Sequence, residues 1–328
     1  MTTPAEITVR RATDADRPAV LDLLADSLGW DRDETFAEFF HWKHVENPFG
    51  ASPAWVAVED KTIVGFRTFL QWRFEHPDGR TRRAVRAVDT ATSPAHQGRG
   101  IFRRLTLSAV EELTAEGIDF VFNTPNANSR PGYLRMGWST VGRLPIVARV
   151  GGIASGLRMR ASRVPAERWP VATNAGAAAR ELLAHPHVGD LLGRVGPPVG
   201  LRTARSPEYL RWRYGLAALG YRAIALDDDP ATGIAIFRVR RRGDATEAGI
   251  SEVIVPNHAD DTRRRLLALV AHRTGADYAI RVGRPLLRAG FLPFPRQGPI
   301  LTYRPMADPA PAPALGDFDL SLGDVELL

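Results

Sequence analysis

The sequence contains no cysteine, which excludes disulfides, thiolate catalysis and cysteine-ligated zinc sites. It also lacks any apolar run near the roughly 20 residues that a membrane-spanning helix needs. Its first residues show no apolar stretch behind a basic one, as a secretory signal would. We therefore expect a cytoplasmic location and no membrane partner.

Lysine is scarce as well. The 43 basic residues include only two lysines, Lys43 and Lys61, and the formal net charge is +6. The arginines are scattered in short runs, and no basic arm interleaved with aromatic residues is present. We interpret them as a solvated surface with room for a locally basic groove that suits a polyanionic cofactor. Nucleic-acid binding is a further hypothesis, and the calculated pI of 10.1 is its only motivation. We do not expect nucleic acid to be the partner.

What is present indicates a globular protein of two domains. The 328 residues exceed one ordinary core, and the chain is 44% hydrophobic and 24% charged. The predicted segments are a first domain at 1–150, a Gly/Ala/Pro-rich linker with one helix at 151–205, a second domain at 206–305, and an acidic, disordered tail at 306–328. For the end of that tail, residues 318–328, docking on a basic groove is the alternative to disorder.

The order of predicted elements recurs in the two halves. The first half has a hairpin, a third strand over Thr81–Thr92, a loop, a helix and a buried strand over Phe120–Asn123. A similar order returns after residue 206, and Arg135–Trp138 corresponds to Arg288–Phe291. The pattern predicts a diverged duplication of the α/β class, of the α+β kind.

The loop at His96–Ile101 carries the clearest chemical signal. Glycines at 98 and 100 let backbone N–H groups approach an anion, and the helix that follows adds its positive dipole end. The loop follows a β-meander, which argues against a dinucleotide-binding fold, and it lacks the Gly-Lys-Ser/Thr of a nucleotide-phosphate loop. The spacing therefore favours a pyrophosphate cradle of another kind.

With these residues the chain resembles the GCN5-related N-acetyltransferase (GNAT) family. Gln97–Phe102 corresponds to the family's pyrophosphate loop, and Thr92–Pro94 to the strand exit before it. Asn126, Tyr133 and Gly137-Trp138 correspond to the family's downstream segment. The resemblance covers residues 6–150 and implies tandem GNAT-like domains, each a mixed, mainly antiparallel central sheet flanked by helices.

The second half resembles the family more faintly. Val255-Pro256 stands at the strand exit, but Asn257–Asp260 replaces the glycine loop. We expect this half to be degenerate and unable to hold coenzyme A. It would shape the acceptor site or a homodimer.

The resemblance implies an N-acetyltransferase. Acetyl-CoA, or another acyl-CoA, would be the co-substrate, and a primary amine of a small molecule, an amino sugar or a peptide would attack its thioester directly. Tyr133 would protonate the leaving thiolate. The cofactor-binding residues implied are Ala91 and Thr92 at the thioester, Asn126 at the pantetheine arm, and Gln97, Gly98, Arg99, Gly100, Ile101 and Phe102 at the pyrophosphate.

Several alternatives stay open at this point. The general base is Asp89, Glu59 or a water relay, and strand alternation puts Asp89 opposite Thr92 unless a bulge intervenes. Phe102, which replaces a small residue, turns either into the core or toward the phosphates. A non-catalytic protein that senses acyl-CoA is the alternative function.

No metal is expected. His41 and His44 have a spacing that allows one, but no carboxylate–histidine set supports it, and an ordinary helix surface is the favoured interpretation.

Overall fold

The computed structural model describes residues 6–306 and 312–326. The chain forms two compact units. The first comprises the described parts of Met1–Phe74, Thr81–Gly142 and Ile300–Ala314. The second comprises those of Glu75–Arg80, Arg143–Pro299 and Leu315–Leu328. Both units hold a mainly antiparallel sheet flanked by helices, which confirms the predicted fold class.

The strands are numbered along the chain. They are β1 (Thr8–Arg11), β2 (Ala54–Glu59), β3 (Thr62–Glu75), β4 (Thr81–Thr92), β5 (Phe120–Asn123), β6 (Ser139–Arg143), β7 (Ile146–Val150), β8 (Ala177–Ala178), β9 (Arg202–Thr203), β10 (Arg222–Ala225), β11 (Ile234–Arg242), β12 (Ala245–Ile254), β13 (Tyr278–Val282), β14 (Leu292–Pro293) and β15 (Ile300–Pro305).

The α-helices follow the same numbering. They are α1 (Arg17–Leu28), α2 (Glu34–His44), α3 (Ile101–Ala115), α4 (Arg130–Arg135), α5 (Ile153–Ala161), α6 (Ala179–Leu182), α7 (His187–Leu192), α8 (Pro207–Gly215), α9 (Asp260–Arg273) and α10 (Leu322–Val325).

The first sheet has the strand order β1-β2-β3-β4-β5-β15-β6. Its neighbours β4 and β5 run parallel, and their pairing covers only the three positions from Ala84–Phe120 to Arg86–Phe122. Beyond Arg86, β4 continues to Thr92 without β5, so the two strands part. Parallel strands that part leave backbone groups and side chains facing a cleft, and this cleft holds the site described below.

Helix α3 covers one face of the first sheet. Its apolar residues recur every four positions, as the sequence predicts, and Ile101, Leu105, Ala109 and Leu113 are all buried. The helix begins after Gly100, whose left-handed φ of +75° turns the chain from the loop into the first turn. The packing of α3 therefore fixes where the glycine loop ends.

The second sheet has the order β14-β7-β13-β12-β11-β10-β8. Again one neighbouring pair, β12 and β13, is parallel, over Glu247–Tyr278 to Gly249–Ile280. The same kind of opening therefore recurs in the second unit.

Two strands lie in different sheets from those that the predicted boundaries assign. Strand β7 pairs with β13 in the second sheet, and β15 pairs with β5 in the first. The predicted domains at 1–150 and 206–305 thus exchange one strand each, because local patterning predicts a strand but not its partner. The predicted linker at 151–205 also belongs to the second unit and carries α5, α6 and α7.

A short sequence repeat marks corresponding helices. Residues 38–44 of α2 read EFFHWKH, and residues 208–214 of α8 read EYLRWRY. Each segment contains a buried tryptophan, Trp42 or Trp212. The cation that follows it, Lys43 or Arg213, is also buried.

The prediction of a disordered tail is wrong for residues 312–326. Ser321 caps α10, and Glu326 forms an ion pair with Arg238 at 2.7 Å. Arg213 donates to the carbonyl oxygen of Gly323 at 2.8 Å. The tail end docks on buried arginines, as the alternative states, because its acidic groups compensate their charge. Residues 307–311 and 327–328 lie outside the described residues.

Within the parts of the chain that the structure describes, no helix is both long enough and apolar enough to cross a membrane.

Candidate active site

A cavity of about 330 Å³ opens in the first unit where β4 leaves β5. It is bounded by the end of β4, the glycine loop, the first turn of α3 and the end of α1. The structure thus brings together most of the residues predicted to bind the cofactor. These are Ala91, Thr92, Gln97, Gly98, Gly100, Ile101 and Phe102.

The glycine loop has the geometry of an anion cradle. Gly98 and Gly100 have φ values of +77° and +75°, in the left-handed region that favours glycine. No atom lies within 4 Å of a Cβ built on either residue, so the space above the loop is free for a ligand. The first turn of α3 carries no acidic residue, and its N–H groups present the positive end of the helix dipole. The open backbone and the helix dipole would suit an anion such as a pyrophosphate.

Arg99 faces away from the cavity. Its guanidinium forms an ion pair with Glu59 at 2.6 Å, and His96 Nε2 contacts the other oxygen of Glu59 at 2.8 Å. The hydrogen bond from Arg99 lowers the pKa of Glu59, against the opposing effect of burial. Glu59 therefore anchors the loop, and a carboxylate held in this way is a poor proton acceptor.

Tyr133 lies in α4 and is 5% exposed. Its ring meets that of Phe102 edge-on at 5.4 Å and that of Trp138 at 5.1 Å. The side chain of Phe102 thus turns onto Tyr133 and the core, where it also contacts Gly132, and leaves the loop backbone accessible.

Arg67 is the functional candidate that the sequence analysis missed. It lies on β3 and is fully buried, yet no ion pair to a carboxylate is found for it among residues 6–306 and 312–326. Its Nη1 donates to the hydroxyl oxygen of Tyr133 at 2.7 Å and to Oγ1 of Thr90. Its Nε and Nη2 have no hydrogen-bond partner within the described chain.

The direction of the hydrogen bond between Arg67 and Tyr133 determines where the proton of the tyrosine hydroxyl points. A guanidinium can only donate, so the hydroxyl oxygen of Tyr133 accepts from Arg67 and its own proton points elsewhere. A buried, unpaired cation beside a phenol also stabilises negative charge that develops on that oxygen. The hydrogen bond therefore leaves the hydroxyl proton of Tyr133 available to another acceptor.

Asp89 lies in a buried cluster of charged groups. Its φ of +40° is in the left-handed region, so β4 departs from regular strand geometry at this residue. Its carboxylate lies 2.7 Å from Lys43 Nζ and 2.8 Å from His44 Nε2, and the side chain is only 9% exposed. Burial alone would raise the pKa of Asp89, but the charge of Lys43 and the bond from His44 lower it well below its usual range.

This environment argues against Asp89 as the general base, and that assignment stays a prediction. A carboxylate paired with two partners and with a lowered pKa is a weak base. The sequence analysis favours a position on the helix surface for His44, but the structure shows it buried, with 5% of the residue exposed. Burial lowers the pKa of His44, and its Nδ1 lies 3.0 Å from Ser52 Oγ. The cluster of Asp89, Lys43 and His44 holds α2 against β4.

Asn126 lies in the loop before α4 and is exposed. Its side-chain oxygen accepts from the backbone N–H groups of Asn128 at 3.1 Å and Ser129 at 2.9 Å. The oxygen is thus used to order the turn before α4, and the amide NH₂ is the group that can contact a pantetheine arm.

Over residues 6–306 and 312–326, no group of three or more His, Asp or Glu side chains is placed to hold a metal ion.

Sequence signals for the missed residues exist but are indirect. Lys43, one of only two lysines, falls in a helix dense in aromatic residues, and Arg67 falls within a long apolar strand. A charged residue inside an apolar pattern indicates a buried partner, but the pattern does not identify that partner.

Comparison with known proteins agrees with this geometry. Residues 8–141 match a family model described as an acetyltransferase (GNAT) domain. A search of curated proteins finds no match to the chain.

Solved structures resemble nearly the whole chain. A conserved protein from Enterococcus faecalis, described as a probable N-acyltransferase, aligns with a TM-score of 0.65 at 12% identity, covering 92% of this chain and 73% of its own. A GCN5-related N-acetyltransferase from Anabaena variabilis aligns with a TM-score of 0.60 at 13% identity and the same coverage. Another from Kribbella flavida gives 0.60 at 16%, covering 92% and 71%. At such identities the likeness establishes the fold alone.

Proposed function

We propose that the protein transfers an acetyl or other acyl group from acyl-CoA to a primary amine, because residues 8–141 match the family model of an acetyltransferase (GNAT) domain. The acceptor would be a small molecule, an amino sugar or a peptide. One observation carries the proposal: the glycine cradle lines a cavity together with Phe102 and Thr90, and these two residues contact the buried pair of Tyr133 and Arg67. The first unit supplies all of these groups.

The cradle would bind the co-substrate through its backbone. N–H groups of the loop from Gln97 to Phe102 would hold the pyrophosphate at the positive end of α3. Thr90, Ala91 and Thr92 line the cavity at the end of β4, and a backbone N–H there would polarise the thioester carbonyl.

Tyr133 would act as the general acid. A phenol is a suitable donor to a leaving thiolate because the two are similarly basic. Arg67 would act as a positioning residue, since its bond to the hydroxyl oxygen turns the proton of Tyr133 away from itself. Phe102 and Trp138 pack on the ring and fix its plane.

The proton of the attacking amine would leave through water. Asp89 and Glu59, the two carboxylates considered from the sequence, are both held in ion pairs and have lowered pKa values. A water relay is the remaining route of the three.

The second unit would be a diverged copy without this chemistry. Its helix α9 opens with Asp260 and Asp261, and the preceding turn contains no glycine. Two carboxylates at this end of a helix repel a pyrophosphate, so we assign acyl-CoA binding to the first unit alone.

Calorimetric titration of acetyl-CoA tests the proposal. We expect micromolar binding by the wild type and its loss in Gly100→Glu, which places a carboxylate in the cradle. Gly79→Glu is the matched control, because Gly79 has a φ of +78° and equally open space but lies in the turn after β3. Absence of binding by the wild type, or equal loss in both variants, would overturn the assignment.

A protein that senses acyl-CoA without turnover is the second candidate. The observation that favours it is that both carboxylates near the cavity are engaged in ion pairs. An acceptor screen that monitors release of free thiol separates the two functions. Turnover that Tyr133→Phe abolishes while binding persists supports the enzyme, and binding without turnover over a broad amine panel supports the sensor.

A further inference from the structure

The second unit contains a larger cleft of about 880 Å³. It opens where β12 and β13 part after the Gly249–Ile280 pair. The walls include residues 250–254 of β12 with Val255 after it, the turn at 282–286 and the tail between 315 and 322. All of its walls belong to the second unit, and its volume suits a small organic ligand.

Ser251 contributes an unsatisfied hydroxyl to the wall. It is the extra residue of a bulge in β12, because Ile250 pairs with Phe237 and Glu252 pairs with Ile236. It is 1% exposed, and its Oγ has no hydrogen-bond partner within the described chain. A buried hydroxyl without a partner is costly, so a ligand atom that accepts from it would be bound favourably.

Arg281 contributes an uncompensated charge to the same wall, next to the last paired position of β13. Its Nη1 and Nη2 donate to the backbone oxygens of Val282 at 2.8 Å and Arg284 at 3.4 Å. Its Nε is buried without a partner, and no ion pair to a carboxylate is found for it in the described residues. Burial, reinforced by the nearby Arg263, lowers the pKa of Arg281 to about 10.

The local backbone is shaped around this guanidinium. Gly283 has a φ of +130°, and a Cβ built on it would lie 2.4 Å from Arg281 Nη1. Glycine therefore leaves room for the guanidinium of Arg281 beside the turn. Such an arrangement retains a buried cation that has no acidic partner in the described chain.

The other charged groups of the cleft are largely neutralised within it. Arg205 pairs with Glu252 at 2.9 Å, and Arg263 pairs with Asp260. Arg202 pairs with Glu75 at 2.9 Å, and Asp319 adds one carboxylate to the lining. Against that carboxylate stand Arg281 and the exposed Arg284, so the remaining positive charge lies at these two arginines. Much of the remaining lining is aliphatic, including Val195, Val253, Ile254, Val282, Leu286 and Leu320.

We propose that this cleft binds an amphiphilic carboxylate. The carboxylate would accept from Ser251 Oγ and from the guanidinium of Arg281, and the aliphatic chain would lie along the apolar wall. A pyrophosphate is disfavoured, because Asp260 and Asp261 open the adjacent helix. A neutral ligand would leave the desolvated guanidinium without a counter-charge.

Decanoate, used below its micelle concentration, and its neutral analogue decanol are the probes. Calorimetric titration of the full chain should show decanoate binding about 10-fold or more tightly than decanol, because a hydrogen bond to a charged group is stronger than a neutral one. Arg281→Met should weaken decanoate binding by about 10-fold or more while leaving decanol unchanged. Ser251→Ala should weaken decanoate binding by a smaller factor.

Arg211→Met is the matched control, since Arg211 is an exposed residue of α8 outside the cleft. Its decanoate affinity should equal that of the wild type. Thermal unfolding monitors the fold of each variant, and Arg281→Lys, which keeps the charge, should retain most of the preference for decanoate over decanol.

Equal affinity of the wild type for decanoate and decanol would overturn the proposal, as would full decanoate binding by a folded Arg281→Met. Failure of the wild type to bind either probe would also overturn it. None of these outcomes depends on acetyl-CoA, so the result is independent of the function proposed for the first unit.

Discussion

The two units share a scaffold and differ in what their clefts present. Each has a parallel strand pair that parts after three residue positions, and each has a helix with a buried tryptophan followed by a buried cation. In the first unit the next loop contains Gly98 and Gly100 and leads into a helix start without acidic residues. In the second, the turn has no glycine, and two aspartates open the helix.

This difference distinguishes residues that pack the core from residues that would contact a ligand. Each unit has a parallel strand pair and a covering helix around an apolar core, and these features follow from burying apolar side chains. The glycines and the absence of acidic residues at the helix start contribute little to packing, since a Cβ built on Gly98 or Gly100 meets no atom within 4 Å. Such residues are explained by a ligand, and their loss in the second unit changes the class of ligand that its cleft can hold.

The buried carboxylates on β4 and β12 also differ. In the first unit Asp89 is paired with Lys43, and its pKa is lowered. In the second, burial raises the pKa of Glu252, although Arg205 pairs with it, and the nearby Asp324 raises it further. The first cluster therefore stabilises the ionised carboxylate and the second opposes it.

The largest effect on stability is expected for Asp89→Asn. The substitution leaves the ammonium of Lys43, which is 1% exposed, without its counter-charge. Removing one partner of a buried ion pair costs about 3–5 kcal/mol, so the first unit should unfold at much lower urea concentration.

Asp22→Asn is the control for this prediction, since Asp22 is exposed and pairs with Arg32 across 3.4 Å at the surface. It should change the free energy of unfolding by less than about 1 kcal/mol. Equal stability of Asp89→Asn and the wild type would show that Lys43 finds other partners and that the cluster is not the anchor of α2.

The next effect concerns catalysis in the proposed reaction. Arg67→Met should lower kcat by about 10- to 100-fold, because it removes a charged hydrogen bond of roughly 1.5–3 kcal/mol at the hydroxyl of Tyr133. The affinity for acetyl-CoA should stay unchanged, since Arg67 does not line the cradle. Assays of thiol release measure kcat, and calorimetry measures the affinity for acetyl-CoA.

Arg73→Met serves as the comparison, because Arg73 lies on the same strand but is exposed. It should leave kcat unchanged. If Arg67→Met loses affinity and stability in place of kcat, the residue has a structural role and does not position Tyr133.

A third prediction uses pH to contrast the two carboxylates. A carboxyl group with a pKa lowered by folding stabilises the protein above its unfolded pKa of about 4, and that contribution is lost as the pH falls. Asp89→Asn should therefore lie furthest below the wild type near pH 7 and approach it on acidification. A group with a raised pKa has the opposite slope, so Glu252→Gln should gain stability relative to the wild type as the pH rises.

Urea unfolding of each variant beside the wild type from pH 2 to pH 7 measures these slopes, because the Asp89 contribution is lost below pH 4 and the Glu252 effect develops above it. Parallel slopes for the two variants would contradict the assignment of opposite pKa shifts, whatever the size of each effect.

Much of the first unit can be predicted from the sequence, because its signals are local. The spacing of Ile101, Leu105, Ala109 and Leu113 predicts α3 and its buried face, and the glycine loop predicts the cradle. Features that depend on distant partners cannot be predicted in this way. The exchange of β7 and β15 between sheets is one of them, since both strands carry ordinary strand patterns.

The site divides in the same manner. Tyr133 and the loop residues follow from a pattern of neighbours along the chain, whereas the pairing of Asp89 with Lys43 joins residues 46 positions apart. The repeat between residues 38–44 and 208–214 is a signal that could have identified Lys43 as a structural cation, because an equivalent buried cation recurs in Arg213. It is visible only once the two halves are aligned on their tryptophans.

The smallest expected effect concerns two glycines, one in the proposed cradle and one in the turn after β3. Gly98 and Gly79 have φ values of +77° and +78°, and a Cβ on either meets no atom within 4 Å. Alanine in this region costs about 1–2 kcal/mol through backbone strain alone, so Gly98→Ala and Gly79→Ala should lower the free energy of unfolding by similar amounts. Only Gly98→Ala should also weaken acetyl-CoA binding, because its methyl group occupies space that the pyrophosphate needs. Equal acetyl-CoA affinities would mean that the openness above Gly98 serves the turn and not a ligand, and the contrast between the two units would then rest on the helix charges.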